Sequence, residues 1–278
     1  MTKQLLLIEC DDRPGLVHGV TGVLLRHHCN VTSNHEFVDH ERARFFMRTE
    51  FTGAIAPAAI EAETRAALPP AAVVRMSMSA PRRVVVLCSR EHHCVADLLT
   101  RHAFGELNAS LRAVISNAGE LAGFVAKFNL PFHAVPNADL SRESHEEQIL
   151  AAIQPYEPEF LVLAKYMRVL TPQFVAQFPN RIINIHHSFL PAFVGARPYQ
   201  QAFQRGVKVI GATAHFVTVD LDQGPIIAQE TLHVDHTHGA QDLAQAGRDV
   251  EKLALARALR LVFEDRVFLC GNRTIIFD

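Results

Sequence analysis

Asn184 and His186 stand two positions apart in the run Arg181-Ile182-Ile183-Asn184-Ile185-His186-His187-Ser188-Phe189-Leu190-Pro191. On a strand, alternate residues share a face, so the amide and the imidazole project to the same side. An amide stabilises a developing oxyanion without losing a proton, and an imidazole donates or shuttles one. A carboxylate, Asp222, follows 38 residues after Asn184 in the loop Asp220-Leu221-Asp222-Gln223-Gly224-Pro225, behind the segment Gly211-Ala212-Thr213-Ala214-His215-Phe216. A carboxylate beside an imidazole raises the ring's pKa and fixes its orientation. The set suits a reaction that passes through an oxyanion and moves a proton.

Other reactive side chains are less ordered in their spacing. The chain carries 16 histidines, including His27-His28, His92-His93 and the trio His233, His236, His238. Adjacent residues diverge on a strand and are about 100° apart on a helix, so these runs do not converge as metal ligands by themselves. No metal site is expected. Cys94, near His92-His93, reads as a thiol buried in a helix rather than a nucleophile. The five cysteines are odd in number, widely spaced and without a CxxC, which speaks against a disulfide framework and a zinc knuckle.

The elements that must carry these groups fall into two rhythms. Residues 4–10 read as a buried strand, Asp11-Asp12-Arg13-Pro14-Gly15 as a turn, and Leu16, Val20, Val23 and Leu24 as a helical stripe. Strands are expected at 31–38 and 44–52, a helix near 57–68 and a strand at 73–78, ending near Ser79-Ala80-Pro81. This βαββαβ order predicts helices on one face of an antiparallel sheet. From 82 onward strands alternate with helices: strands at 84–88, 111–116, 132–135, 160–163 and 182–185, helices at 93–103, 119–128 and 141–153, the last capped by Ser141. That alternation predicts a doubly wound, mostly parallel sheet, whose strand carboxyl ends collect chemistry. Two longer strands at 207–217 and 225–233, a helix at 239–263 and a hairpin at 266–277 complete the α/β reading, with domains at 1–80 and 82–278.

At 278 residues and 49% hydrophobic, the chain has enough apolar material for two cores. A formal net charge of −2 offers no whole-chain grip on nucleic acid or anionic membrane. The apolar run after Met1 is too short for a signal peptide, and no stretch reaches about 18 apolar residues, so a cytoplasmic setting is expected.

The segment Cys10-Asp11-Asp12-Arg13-Pro14-Gly15-Leu16, with Asn30-Val31 after the first helix, resembles the start of an ACT domain of ferredoxin-like fold. The resemblance implies an effector site for a small amino acid at Asp12, Gly15 and Asn30, with methionine or glycine the first candidates. From the residues alone, Asp12 equally serves as a helix cap and Gly15 as a tight turn. Asn184-Ile185-His186 with Ser188-Phe189-Leu190-Pro191, and His215 with Asp222-Gln223-Gly224-Pro225, resemble the 10-formyltetrahydrofolate-dependent formyltransferase fold. That resemblance implies catalytic roles for Asn184, His186 and Asp222. It implies substrate contacts from Met167-Arg168-Val169-Leu170, which matches a pterin-recognising loop, and from Ser188, Leu190, Pro191, His215 and Gly224.

The segment after the first catalytic-domain strand, Ser89-Arg90-Glu91-His92-His93, has no glycine, and Glu91 would repel a phosphate. An ACT domain ahead of this fold is the pattern of the formyltetrahydrofolate deformylase family. The runs Ala192-Phe193-Val194-Gly195-Ala196-Arg197-Pro198, Gly247-Arg248-Asp249-Val250-Glu251 and Gly271-Asn272-Arg273-Thr274-Ile275-Ile276 look like that family as well. The resemblance implies hydrolysis of 10-formyltetrahydrofolate to tetrahydrofolate and formate, balancing the one-carbon folate pool and feeding formate to purine biosynthesis. It implies folate as substrate, no cofactor, and a homo-oligomer (dimer or tetramer). Two alternatives stand beside it: a formyltransferase with a small amine acceptor, and a non-catalytic sensor of folate and amino acid.

Overall fold

The computed structural model describes residues 3–53, 56–78, 80–192 and 198–278. Ser79, at the expected domain boundary, and residues 193–197 of the family-like run lie outside that set. The chain divides into two compact units. One holds the first 80 residues together with Glu264–Cys270 and Ile275–Asp278; the other holds Pro81–Phe263 and Gly271–Thr274.

The N-terminal unit follows the expected order: β1 (Gln4–Asp11), α1 (Leu16–Arg26), β2 (Asn30–Asp39), β3 (Arg44–Thr52), α2 (Pro57–Ala67) and β4 (Val73–Met78). The sheet runs β2-β3-β1-β4 and every pairing is antiparallel. Alternation along β1 explains its continuous apolar run. Leu6, Ile8 and Cys10 pack with Leu16, Val20, Val23 and Leu24 of α1 and Ile60 of α2. Leu5 and Leu7 face the other way, onto Phe268, Cys270 and Phe277. The boundary at 82 therefore needs a correction at the far end of the chain. Much of 264–278 belongs to the first unit, because its apolar side chains cover that second face.

The second unit contains β5 (Arg82–Cys88), α3 (His93–Ala103), β6 (Ala109–Ser116), α4 (Ala122–Val125), β7 (Phe132–Ala134), α5 (Arg142–Ile153), β8 (Phe160–Ala164), α6 (Pro172–Gln177), β9 (Ile182–His186), α7 (Pro198–Arg205), β10 (Val209–Phe216), β11 (Ile226–His233) and α8 (Ala240–Phe263). The strands β12 (Val267–Cys270) and β13 (Arg273–Ile276) form a separate hairpin. The seven-stranded sheet runs β11-β10-β9-β8-β5-β6-β7. It is parallel from β9 to β7, with β10 and β11 antiparallel at one side. Chain order reverses between β5 and β8, which makes the crevice beyond their carboxyl ends the topological switch point.

Ser141 caps α5 as expected, accepting from Ser144 N. Two short helices were not foreseen. α6 is six residues long, started by Thr171 as cap and Pro172, too short to show a helical period. α7, Pro-Tyr-Gln-Gln-Ala-Phe-Gln-Arg, is eight residues long and rich in polar residues, so it too is short for a periodic signal. No described helix is long and apolar enough to cross a membrane.

Candidate active site

β9 is buried and ends at the switch-point side of the sheet. Its antiparallel register with β10 sets Asn184 directly opposite His215, and His186 opposite Thr213. A β-bulge falls between Ala214 and His215, where β10 also pairs with β11. At the end of β10, Phe216 N donates to the Pro225 carbonyl at 2.9 Å and, one residue on, Val217 N to that of Ile182 at 2.9 Å. A Cβ on Gly224 would lie 1.8 Å from the Phe216 carbonyl oxygen, so the loop closes this tightly only with glycine there. Asp222 sits in the loop with φ +55°, a left-handed conformation that acidic and amide residues tolerate better than most. Asn272 Nδ2 braces the loop from the hairpin turn by donating to the Gln223 carbonyl at 2.9 Å.

These constraints bring the three expected groups together. His186 Nδ1 lies 3.2 Å from Asp222 Oδ2. With Nδ1–H donated to the carboxylate, Nε2 is the ring's working atom, and it is buried with no hydrogen-bond partner among the described residues. His215 Nδ1 donates to the Phe216 carbonyl at 2.9 Å, which leaves Nε2 as an acceptor for Asn184 Nδ2 at 3.2 Å. His215 thereby fixes which way the Asn184 amide points. Its 3.7 Å separation from Asp222 Oδ1 is too long for a hydrogen bond. Burial alone would raise the pKa of Asp222. The hydrogen bond and charge of His186, with His215 next to it, outweigh burial and hold the carboxyl well below the usual carboxylate range.

The groups face a cavity of about 520 Å³. Asn184, His186, His215 and Asp222 line one side, and Met167, Arg168, Val169 and Leu170 another. Met167, Val169, Val219 and Leu221 are large apolar side chains exposed to solvent, and all four stand on this wall. Apolar residues gathered at the rim of a cavity with a few convergent polar groups are the signature of a site for an organic ligand.

The structure separates the remaining expected contacts from this cavity. Ser188 is buried, and its hydroxyl donates to the Ala192 carbonyl at 2.8 Å. Leu190, Pro191 and Gly224 line a different groove, which shares Asp222 and Leu221 with the first cavity. The loop that carries Ser188, Leu190 and Pro191 is tied by Thr213, whose hydroxyl accepts from Leu190 N at 3.0 Å and donates to the Ser188 carbonyl at 2.9 Å. These positions shape the backbone behind the site. In the N-terminal unit, Asp12, Gly15 and Asn30 are all exposed. Gly15 occupies the N-cap of α1 at φ +91°, and Asn30 opens β2.

Sequence reasoning missed a buried polar cluster beside the cavity. Lys165 follows β8 at φ +60° and is 4% exposed. Its Nζ lies 3.2 Å from Glu251 Oε2 and 3.7 Å from Glu91 Oε1. Glu251, itself 1% exposed on α8, is 2.6 Å from His93 Nε2 and accepts from the Tyr199 hydroxyl at 2.8 Å. Burial would raise the Glu251 carboxyl, but the His93 hydrogen bond, the Lys165 charge and the Tyr199 hydroxyl bring it down to about 2. A glutamate on the apolar stripe Val250, Ala254, Leu255, Ala258 is the one sign of this cluster that the sequence displays.

Ligand atoms of His93, Cys94 and Glu251 lie within 4.8 Å of one another, alone among the described residues. The cluster is already closed by Lys165 and by the His93–Glu251 contact, and burial pushes the Cys94 thiol far up. In the loop before α8, His238 pairs with Asp235 at 2.8 Å.

Known proteins resemble this chain in sequence and fold. Residues 82–259 match the Formyl transferase family profile and residues 4–68 that of the ACT domain. A formyltetrahydrofolate deformylase of Escherichia coli is 50% identical over 276 residues, covering 99% of each chain. The crystal structure of a formyltetrahydrofolate deformylase from Pseudomonas syringae pv. tomato superimposes with a TM-score of 0.95 at 39% identity, over 100% of this chain and 95% of that one. A glycinamide ribonucleotide transformylase from Symbiobacterium toebii aligns with a TM-score of 0.67 at 33% identity, over 71% of this chain and 95% of that one.

Proposed function

Because the chain belongs to the formyltetrahydrofolate deformylase family, we propose that it hydrolyses 10-formyltetrahydrofolate, with Asn184, His186 and Asp222 as the reacting groups. The observation that carries this assignment of residues is the His186–Asp222 contact, with an unpartnered Nε2, on the wall of a largely apolar cavity. The pterin ring occupies that cavity against Met167–Leu170, which sets the N10-formyl group beside β9.

The N10-formyl group is a formamide. Water forms a C–O bond to the formyl carbon as the carbonyl electron pair moves onto oxygen. Asn184 Nδ2–H and protonated His186 Nε2–H donate to that oxyanion. Asp222 helps position the water and, with His186, passes its proton to N10. Protonated N10 departs as the C–N bond breaks, and tetrahydrofolate and formate are the products. The ionised Asp222 supports the imidazolium and keeps its Nδ1–H tautomer in place. Ordering of water and substrate supplies several kcal/mol of the rate, about the scale expected of effective molarity.

Purified protein mixed with 10-formyltetrahydrofolate, without an amine or added metal, is expected to release formate and tetrahydrofolate in equal amounts. Turnover that starts only when an amine is added would move the chain to the formyl-transferring relatives. The proposal extends to the N-terminal unit: a small amino acid, methionine or glycine, binds at Asp12, Gly15 and Asn30 and alters the rate. The open backbone at Gly15 and the exposure of all three residues support it. Absence of binding in calorimetry at millimolar ligand would remove this regulatory part alone.

A further inference from the structure

A second cavity, of about 370 Å³, adjoins the first, and the two share Lys165, Met167 and His187 in their walls. Their linings differ in kind. The first is walled mainly by apolar side chains. The second presents Glu91, Tyr199, Gln200, Arg248 and Glu251. An apolar chamber suits a flat ring system. The second, with more polar side chains among its lining residues, has room for several waters at about 30 Å³ each and offers them hydrogen-bond partners. Hydrolysis needs both, since the formamide and the water must reach the same carbon from different sides.

His187 stands in the shared wall. It follows directly on the end of β9, in a bend, so its ring does not turn away from its neighbour as it would on a strand. It stacks on His186 instead, with ring centroids 5.2 Å apart and planes 27° from parallel, and the Tyr199 ring approaches at 6.3 Å. Burial, with the positive charges of Lys165 and His186, lowers the pKa of His187 to about 4. At neutral pH the ring is uncharged and keeps one lone pair as an acceptor. Lys165 is itself held by Glu251 and Glu91, so the charge that keeps His187 neutral is fixed in place.

We propose that the second cavity is the water chamber of the reaction and that His187 holds the attacking water as a hydrogen-bond acceptor. The water passes from that chamber to where the two cavities meet at His187; there Asp222, on the wall of the first cavity, takes one O–H and His187 the other, which turns a lone pair toward the formyl carbon. The proton still leaves through Asp222 and His186 to N10, so the balance of the reaction is unchanged. The proposal rests on the deformylase reading above and adds the residue that makes water the acceptor.

The test compares His187→Leu, which keeps bulk without an acceptor, with His187→Gln, whose side-chain carbonyl restores one. The leucine variant is expected to lose about 10–100-fold in kcat, with KM for 10-formyltetrahydrofolate and calorimetric affinity for tetrahydrofolate within about threefold of wild type. The glutamine variant is expected to recover most of that loss. His187→Ala, which adds no new bulk, should match leucine and stands in for it if leucine disturbs folding. Equal rates in the leucine, alanine and glutamine variants, or an effect confined to KM, would overturn the proposal and leave the deformylase reading intact. Wild-type protein that releases no formate would overturn both.

Discussion

Replacing Asp222 by asparagine preserves shape and removes one charge. His186 Nδ1 and Asp222 Oδ2 are 3.2 Å apart, with side chains 7% and 14% exposed, so solvent screens the pair only in part. Two unit charges at that distance attract by about 5 kcal/mol at an effective dielectric of about 20. The asparagine carbonyl can still accept from Nδ1–H, which returns a fraction of the lost support. Its amide group can also turn toward the ring and donate to Nδ1, which gives up the Nδ1–H tautomer that the carboxylate holds in place. A net loss of about 3–5 kcal/mol of imidazolium stabilisation converts to a fall of about 10²–10⁴-fold in kcat. Asp222 lies outside the Met167–Leu170 wall, so KM is expected to move by less than about fivefold. Steady-state release of tetrahydrofolate, with formate measured independently, reads the rate. Circular dichroism confirms that the variant is folded. The carboxyl of Asp222 is ionised throughout the neutral range, so the wild-type enzyme keeps this support there and the variant lacks it. A kcat within tenfold of wild type at neutral pH would refute the reasoning.

Gly224→Ala should displace the Asp222 loop, since the new methyl meets the Phe216 carbonyl at 1.8 Å; the expected cost is about 1–3 kcal/mol in urea unfolding together with a loss of turnover. Thr213→Val removes a hydroxyl that also receives Gln229 Nε2 at 3.1 Å. It is expected to cost about 1–3 kcal/mol of stability, because Leu190 N and the Ser188 carbonyl lose their partner. The Glu251 carboxyl is lowered from 4.5 to about 2 in the folded protein, so its contribution to stability is complete above pH 4.5 and is lost as pH falls toward 2. Glu251→Gln should flatten the slope of stability against pH in that window and lower stability at neutral pH, both read from denaturant midpoints; an unaltered slope would count against the assignment.

Much of this site was legible because its information is local. Asn184 and His186 share a strand, so their period alone puts them on one face; that Asp222 joins them was implied by the family resemblance, and the β9–β10 pairing supplies the physical reason. His215 falls opposite Asn184 by register alone. The cluster of Lys165, His93 and Glu251 was not legible, because its members come from β8, α3 and α8 and nothing in their spacing pairs them. Leu190, Pro191 and Gly224 were readable as important, but a residue that shapes backbone and one that touches substrate leave the same trace in a motif. α6 and α7 escaped because six and eight residues are too few for a helical period to declare itself. The far end of the chain was misallotted because Phe268 and Phe277 declare that they are buried without declaring against what.

That last packing has a consequence for how the protein is made. Leu5, Leu7 and Phe46 leave the ribosome long before Phe268, Cys270 and Phe277, the side chains that cover them. Elongation at about 5–20 residues per second separates the two groups by roughly 10–55 s. During that interval α1 and α2 can close one face of the first sheet, while the opposite face waits as an uncovered apolar surface on the nascent chain. The earliest-synthesised unit is therefore among the last to be finished. Slow decoding or premature arrest downstream would prolong the exposure of that sheet, and such truncated chains would be clients for chaperones in proportion to the delay.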